Sequence, residues 1–221
     1  MAEEPAPRVA LWDLPTRLFH WSLVVLILVA WFSGGENMQI HVLSGYGVLG
    51  LLVFRLWWGV AGGSTSRFSS FVKGPAATLA YLKTAGDRGA GHGGGHNPIG
   101  AWSVVAMIAV MLAVTVSGLF ASDIDGLESG PLSYLVDFDM SRRYSEWHEL
   151  LFRALQGLVA LHLLAVAYYW VWKRQNLIGA MITGKSALTL EALRPAKLWS
   201  LIVGLALAVG VAWLTAKGFR L

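Results

Sequence analysis

The 221-residue chain contains no cysteine. That absence excludes disulfides, cysteine-held iron–sulfur clusters, thioether-attached haem and thiol chemistry, so a metal here must be held by histidine, methionine or carboxylate. Charge is also scarce. Asp, Glu, Lys and Arg make up 14% of the residues against 56% hydrophobic residues, with 11 Trp and a mean hydropathy of +0.57. So little charge cannot cover a water-soluble domain, and so much apolar surface cannot be buried inside one. The composition predicts an integral membrane protein whose first partner is the lipid bilayer. The net charge of +4 does not point to a nucleic acid, because Lys and Arg in membrane proteins are distributed by topology.

What is present in place of charge is a set of long apolar runs. Five stretches approach the ~20 residues that cross a ~30 Å hydrocarbon core: residues 18–32, 42–60, 99–121, 147–172 and 198–216. The first is short unless Thr16, Arg17, Ser33 and Gly34 are counted with it. The preceding MAEEPAPRVALWDLPTR is acidic and contains proline, and no small-residue cleavage site follows, so the first span reads as retained rather than as a signal peptide. The expected fold class is all-α, an integral membrane helical bundle forming a single domain over residues 1–221.

Lysine and arginine orient the bundle. With the N-terminus cytoplasmic, that side holds Arg8, Arg17, Arg67, Lys73, Lys83, Arg88, Lys173, Arg174, Lys185, Arg194 and Lys197, eleven in all, and the other side holds four, Arg142, Arg143, Lys217 and Arg220. The positive-inside rule therefore predicts a cytoplasmic N-terminus and a C-terminus on the opposite side of the membrane. Between the third and fourth spans, residues 122–145 carry Asp123, Asp125, Glu128, Asp137 and Asp139 against Arg142 and Arg143. This outer segment is net acidic.

Orientation gives the histidines depths. His20 lies about one turn inside the cytoplasmic end of span one, His41 at the outer end of span two and His148 at the outer end of span four. His162 follows His148 by fourteen residues, about 21 Å along a helix and about 3.9 turns, so the two project from nearly one face. Span four thus offers one imidazole to each leaflet, and each meets a second histidine at matching depth, His20 inside and His41 outside. Two stacked histidine pairs are what two six-coordinate b-type haems require, each iron taking two axial imidazoles and shuttling one electron without binding substrate. Gly45, one turn after His41, and Gly50, Gly118 and Gly157 offer close approach of the kind membrane bundles use.

A lone histidine at a helix end is more often an interfacial residue than a ligand; four at two matched depths reverse that inference. His92 and His96 differ. They sit in the glycine-rich GAGHGGGHNPIG, which does not preorganise ligands, and a turn and helix start at Asn97-Pro98 is expected instead. Arg55, fourteen residues after His41, and Arg153, five residues after His148, lie within spans, where haem propionates or a quinone headgroup would be fitting counter-groups. Arg17, with Arg55, Trp57 and Trp58, is the candidate setting for a quinone headgroup near the cytoplasmic haem.

WDLPTRLFHW at residues 12–21, HVLSGYGVLGLLVFRLWWGV at 41–60, GHNPIGAWSVVAM at 95–107, KRQNL at 173–177 and the His148, His162 pair together resemble the bacterial cytochrome b561 family, in its nickel–iron-hydrogenase cytochrome b branch. The resemblance covers about residues 8–185. It implies a four-helix core holding two haems b through histidines of helices one, two and four, with the fifth, C-terminal span added to it. Carried to this sequence the ligands are His20, His41, His148 and His162, the same four that depth selects. The resemblance also implies electron exchange between membrane quinone and a periplasmic or membrane-bound partner such as a c-type cytochrome or a hydrogenase. The alternatives are a self-contained superoxide:quinone oxidoreductase, which would want a positive outer funnel for its anion, and a transporter or scaffold that binds no haem.

Overall fold

The computed structural model describes residues 9–84, 86, 97–125, 128–186 and 193–219. Among these, five helices are long and apolar enough to cross a membrane: α1 (Leu14–Ser33), α2 (Met38–Ala61), α5 (Pro98–Phe120), α6 (Phe138–Val171) and α8 (Leu198–Ala216). Three short helices, α3 (Phe68–Phe71), α4 (Pro75–Thr84) and α7 (Leu177–Thr183), a 3-10 turn at Ser133–Leu135, and a two-residue ladder of β1 (Val9–Ala10) with β2 (Lys185–Ser186) complete the described elements. The chain is an all-α membrane helical bundle. Its large apolar side chains point outwards, with Leu43, Val60, Val171 and Val209 all about 70% exposed, the inverse of a water-soluble protein and the expected state of residues bathed in lipid.

Each predicted span is present, and the ends show what hydropathy misses. Helix α1 begins at Leu14, because Asp13 accepts the Thr16 amide at 2.8 Å and Pro15 occupies the first turn, both strong helix starts. Asn37 caps α2 through Ile40, Asn97 caps α5 through Gly100, and Asp137 caps α6 through Met140. The helix start expected at Asn97-Pro98 is thus realised by a side-chain cap. Helix α6 starts nine residues before the predicted span, since FDMSRRYSE is polar enough to escape an apolar window yet continues the helix beyond membrane length.

By internal contacts the chain divides into two compact units. One comprises Met1–Leu18, Trp57–Val105 and Ala160–Leu201. Here the segment after β1 is sewn to two turns: Leu11 and Trp12 amides donate to the Gly184 carbonyl, Thr65 Oγ1 donates to the Leu11 carbonyl, and Ser64 and Arg194 exchange hydrogen bonds. Asp13 Oδ2 accepts from Trp58 Nε1 and Ser66 Oγ, while Tyr169 OH joins Tyr81 OH at 2.6 Å and Asn97 Nδ2 at 2.7 Å. The start of α8 seats on the end of α2, with Trp57 Nε1 donating to the Ser200 carbonyl and Ser200 Oγ to the Ala61 carbonyl.

The other unit comprises Phe19–Leu56, Ala106–Val159 and Ile202–Leu221. Its core holds Phe19, Leu23, Leu49, Leu52, Phe54 and Leu155, with Leu52 wholly buried. Gly50 of α2 lies so close to α8 that a methyl group there would sit 3.2 Å from the Ala208 carbonyl oxygen. The acidic connection into α6 is tied down locally: Ser122 and Ser129 form an antiparallel bridge, Gly130 donates to the Ala121 carbonyl and Tyr134 OH to the Gly218 carbonyl.

Candidate functional site

The second unit contains a cavity of about 490 Å³ lined by segments of α1, α2, α5 and α6. Its walls are largely apolar, among them Ile27, Trp31, Val48, Met111 and Phe152, and two imidazoles enter it, His41 and His148. Their ring centroids are 5.9 Å apart and their planes stand at 80°. Each ring is held from behind. His41 Nδ1 bonds the Ala30 carbonyl of α1 at 2.8 Å, and His148 Nδ1 bonds the Val114 carbonyl of α5 at 2.8 Å. A carbonyl only accepts, so Nδ1 carries the proton in both rings and Nε2 keeps a free lone pair. Gly45 also lines the cavity and faces open space.

The other expected site residues are placed as follows. His20 of α1 is half-buried with Trp21 edge-on at 5.0 Å, and belongs to the second unit. His162 of α6 is half-buried and belongs to the first. Arg55 is buried at 4% exposure. Arg153 is 69% exposed and pairs with Glu149 one turn earlier, itself on the cavity wall. Arg17 Nη1 donates to the Ile182 carbonyl at 2.5 Å. The indole N–H groups of Trp57 and Trp58 are engaged by the Ser200 carbonyl and Asp13, so any quinone contact from them would use the ring faces. His92 and His96 lie outside the described residues. In the acidic segment between α5 and α6, Asp125, Glu128, Asp137 and Asp139 are exposed, whereas one carboxylate oxygen of Asp123 is buried without a hydrogen-bond partner among the described residues.

Sequence reasoning found both histidines but not their supports, which are backbone carbonyls of other helices. The available signal was a serine-glycine pair three and four residues beyond each carbonyl, Ser33-Gly34 and Ser117-Gly118. By sequence alone Gly118 is a close-packing glycine.

The sequence model of prokaryotic cytochrome b561 matches residues 11–184, from the segment before α1 to the end of α7. The chain belongs to the prokaryotic cytochrome b561 family. The family model's own name carries the hydrogenase cytochrome b branch, in agreement with the resemblance read from the motifs. No curated protein and no solved structure matches the chain. As a member of this family the protein is a multi-pass membrane cytochrome that binds haem b and transfers electrons.

The His41, His148 cavity fits such a haem. Two imidazole–metal bonds of about 2 Å, with the depth of each ring added, put the centroids of a bis-imidazole pair on the order of 6 Å apart, and the observed spacing is 5.9 Å. No cluster of three or more His, Cys, Asp or Glu side chains forms a metal-ion site among the described residues. Two histidines suit a metal that brings its remaining ligands in a macrocycle, and the apolar walls suit the faces of that macrocycle. His41 and His148 would hold the iron of such a haem through Nε2, the nitrogen that the carbonyl bonds leave free.

Proposed function

We propose that this cytochrome is a di-haem b electron-transfer protein of the bacterial inner membrane, exchanging electrons between the quinone pool and a periplasmic or membrane-bound redox partner such as a c-type cytochrome or a hydrogenase. The observation that carries the reading is the facing pair of His41 and His148, both with Nδ1 protonated and both opening on one apolar cavity. Bis-imidazole ligation closes both axial sites and leaves the bound haem one-electron chemistry. His148 and His41 hold the periplasmic-side haem. His162 recurs fourteen residues along the same helix, and the depths read from the sequence assign it, with His20, to a second haem on the cytoplasmic side, the N-terminus being inside as the Lys and Arg counts favour.

The chain's other residues serve that transfer. Arg55 is a buried cation in a span and suits a haem propionate or quinone headgroup; Arg17 at the start of α1 and Arg153 beside Glu149 are the further candidates. The exposed carboxylates Asp125, Glu128, Asp137 and Asp139 form an acidic rim beside the periplasmic haem, suited to steering a basic partner. The same rim repels superoxide, which places partner reduction ahead of anion oxidation. The test is redox titration of the purified protein together with quinol-driven reduction. Two b-type components, both reduced by a ubiquinol or menaquinol analogue and reoxidised by a basic c-type cytochrome, are expected. A single component, or reduction by superoxide but not by quinol, would overturn the reading.

A further inference from the structure

The two ligand histidines are supported by the same structural unit, used twice. In α1 the unit is Ala30, Ser33 and Gly34; in α5 it is Val114, Ser117 and Gly118. In each, the carbonyl of the first residue accepts from a histidine Nδ1 of another helix, His41 or His148, at 2.8 Å. The glycine four residues on removes the side chain that would occupy the imidazole's space. A methyl group at Gly34 would lie 3.3 Å from His41 Nδ1, and one at Gly118 would lie 2.9 Å from Cε1 and 3.0 Å from Nδ1 of His148. The serine between them folds its hydroxyl back on its own helix. Ser117 Oγ donates to the Val114 carbonyl at 2.8 Å, and Ser33 Oγ donates to Val29 at 2.6 Å with Ala30 a longer contact at 3.3 Å.

We propose that these two serine-glycine seats are positioning devices that fix the tautomer, rotation and basicity of His41 and His148, and so set the potential of the haem between them. The proposal rests on the reading of these histidines as haem ligands. Its physical content is threefold. A carbonyl acceptor holds the proton on Nδ1 and aims Nε2 into the cavity; a neighbour that hydrogen-bonds the far nitrogen of a metal-bound imidazole raises its basicity. The absent glycine side chain leaves the ring room against the carbonyl, room that a methyl group would take outright at Gly118 and crowd at Gly34. The serine shares the carbonyl and weakens what it offers the histidine. This sharing is direct in the Ser117 seat, whereas in the Ser33 seat the hydroxyl's shorter bond goes elsewhere. The seats are therefore alike in design and unequal in tuning, and the perpendicular imidazole planes follow from two seats on different helices fixing the two rings independently.

The experiment uses the intact, detergent-solubilised holoprotein and reads haem content, the low-spin EPR signal and the midpoint potential of each haem. Gly118→Ala is expected to change the EPR anisotropy and potential of one haem, Gly34→Ala to do so less because its contact is looser, and Gly210→Ala, with nothing within 4 Å, to change neither. Ser117→Ala removes the hydroxyl that competes with His148 for the Val114 carbonyl, together with a long 3.5 Å contact to His148 Nδ1, so the carbonyl bond to His148 strengthens and the potential of the same haem falls; Ser33→Ala moves it less. If His41→Leu and His148→Leu each lose that haem while Gly118→Ala, Gly34→Ala and Ser117→Ala all leave its EPR signal and potential at wild-type values, the seats do not tune it and the proposal is wrong. If His41→Leu and His148→Leu keep all haem, the ligand reading itself has failed. Should Gly118→Ala not accumulate, Ser117→Ala against Ser33→Ala decides alone, and equal or upward shifts would refute the proposal.

Discussion

Replacing His41 and His148 by leucine, singly and together, separates one shared site from two independent ones. The imidazole centroids are 5.9 Å apart across one cavity, a spacing that accommodates one metal, so the two substitutions remove the same haem. Each single variant should keep about half the b-type absorbance of a di-haem protein, and the double variant should keep the same half. The scaffold should survive. Leucine forgoes one hydrogen bond, worth about 1 kcal/mol net, and the vacated acceptors keep other donors, the Gly34 amide on Ala30 and the Ser117 hydroxyl on Val114. The larger loss is haem-linked stability, about 4 kcal/mol for a ligand present at ~1,000 times its Kd, so the variants should melt earlier while still inserting. Adding His20→Leu to His41→Leu should remove all b-type absorbance, because it strikes the second site. Pyridine haemochrome quantification against protein mass, on monodisperse detergent-solubilised variants, is the assay. A His41→Leu, His148→Leu double variant that holds clearly less haem than either single variant would refute the shared site, and a His20→Leu, His41→Leu protein that keeps half would refute the pairing.

Further outcomes are expected elsewhere in the chain. Neutralising Asp125, Glu128 and Asp139 to their amides should slow reoxidation by a basic c-type cytochrome and flatten its salt dependence; unchanged rates at low salt would remove the docking role. Asp137 is left out of that set because it caps α6 through Met140, and Asp137→Ala should instead cost about 1 kcal/mol of stability, read as a lower melting temperature with unaltered haem spectra. Gly50→Leu should wedge α8, whose Ala208 carbonyl lies against Gly50, away from α2 at a cost of about 1–3 kcal/mol, seen as earlier thermal unfolding, while Gly210→Ala is neutral. Because the chain has no cysteine, Glu128→Cys and Lys73→Cys each introduce a single thiol. An impermeant maleimide added to intact spheroplasts should label the first and not the second, and the opposite pattern would invert the topology.

The spans, the four candidate histidines and the family were legible in the sequence because each rests on a signal local to the chain. A run of about 20 apolar residues can only be satisfied in lipid as a helix, and histidines fourteen residues apart on such a helix share a face whatever surrounds it. Asp13, Asn37, Asn97 and Asp137 set helix starts through residues three positions on, again a local rule. The polar first turns of α6 were missed for the complementary reason, since hydropathy measures the solvent a segment prefers and not whether it is helical.

The tertiary structure decided what depends on two helices meeting. That His41 leans on the Ala30 carbonyl and His148 on that of Val114 could not be read from any side chain, because the acceptors are backbone atoms that every residue carries. Gly118 is a packing glycine in sequence and becomes the floor under an imidazole only when α6 lies against α5. Asp123 counts as one more surface acid in the sequence, yet beside the Ser122, Ser129 bridge one of its oxygens is buried. By position in the sequence Arg55, near its helix end, is the arginine with the easier escape to the interface and Arg153 the one with the harder, yet Arg55 is buried and Arg153 faces outwards paired with Glu149. Sequence determines which residues a helix offers along its length, by hydropathy and by the 3.6-residue repeat. Which of them a neighbouring helix approaches depends on packing at close range, where one missing methyl group admits a ring.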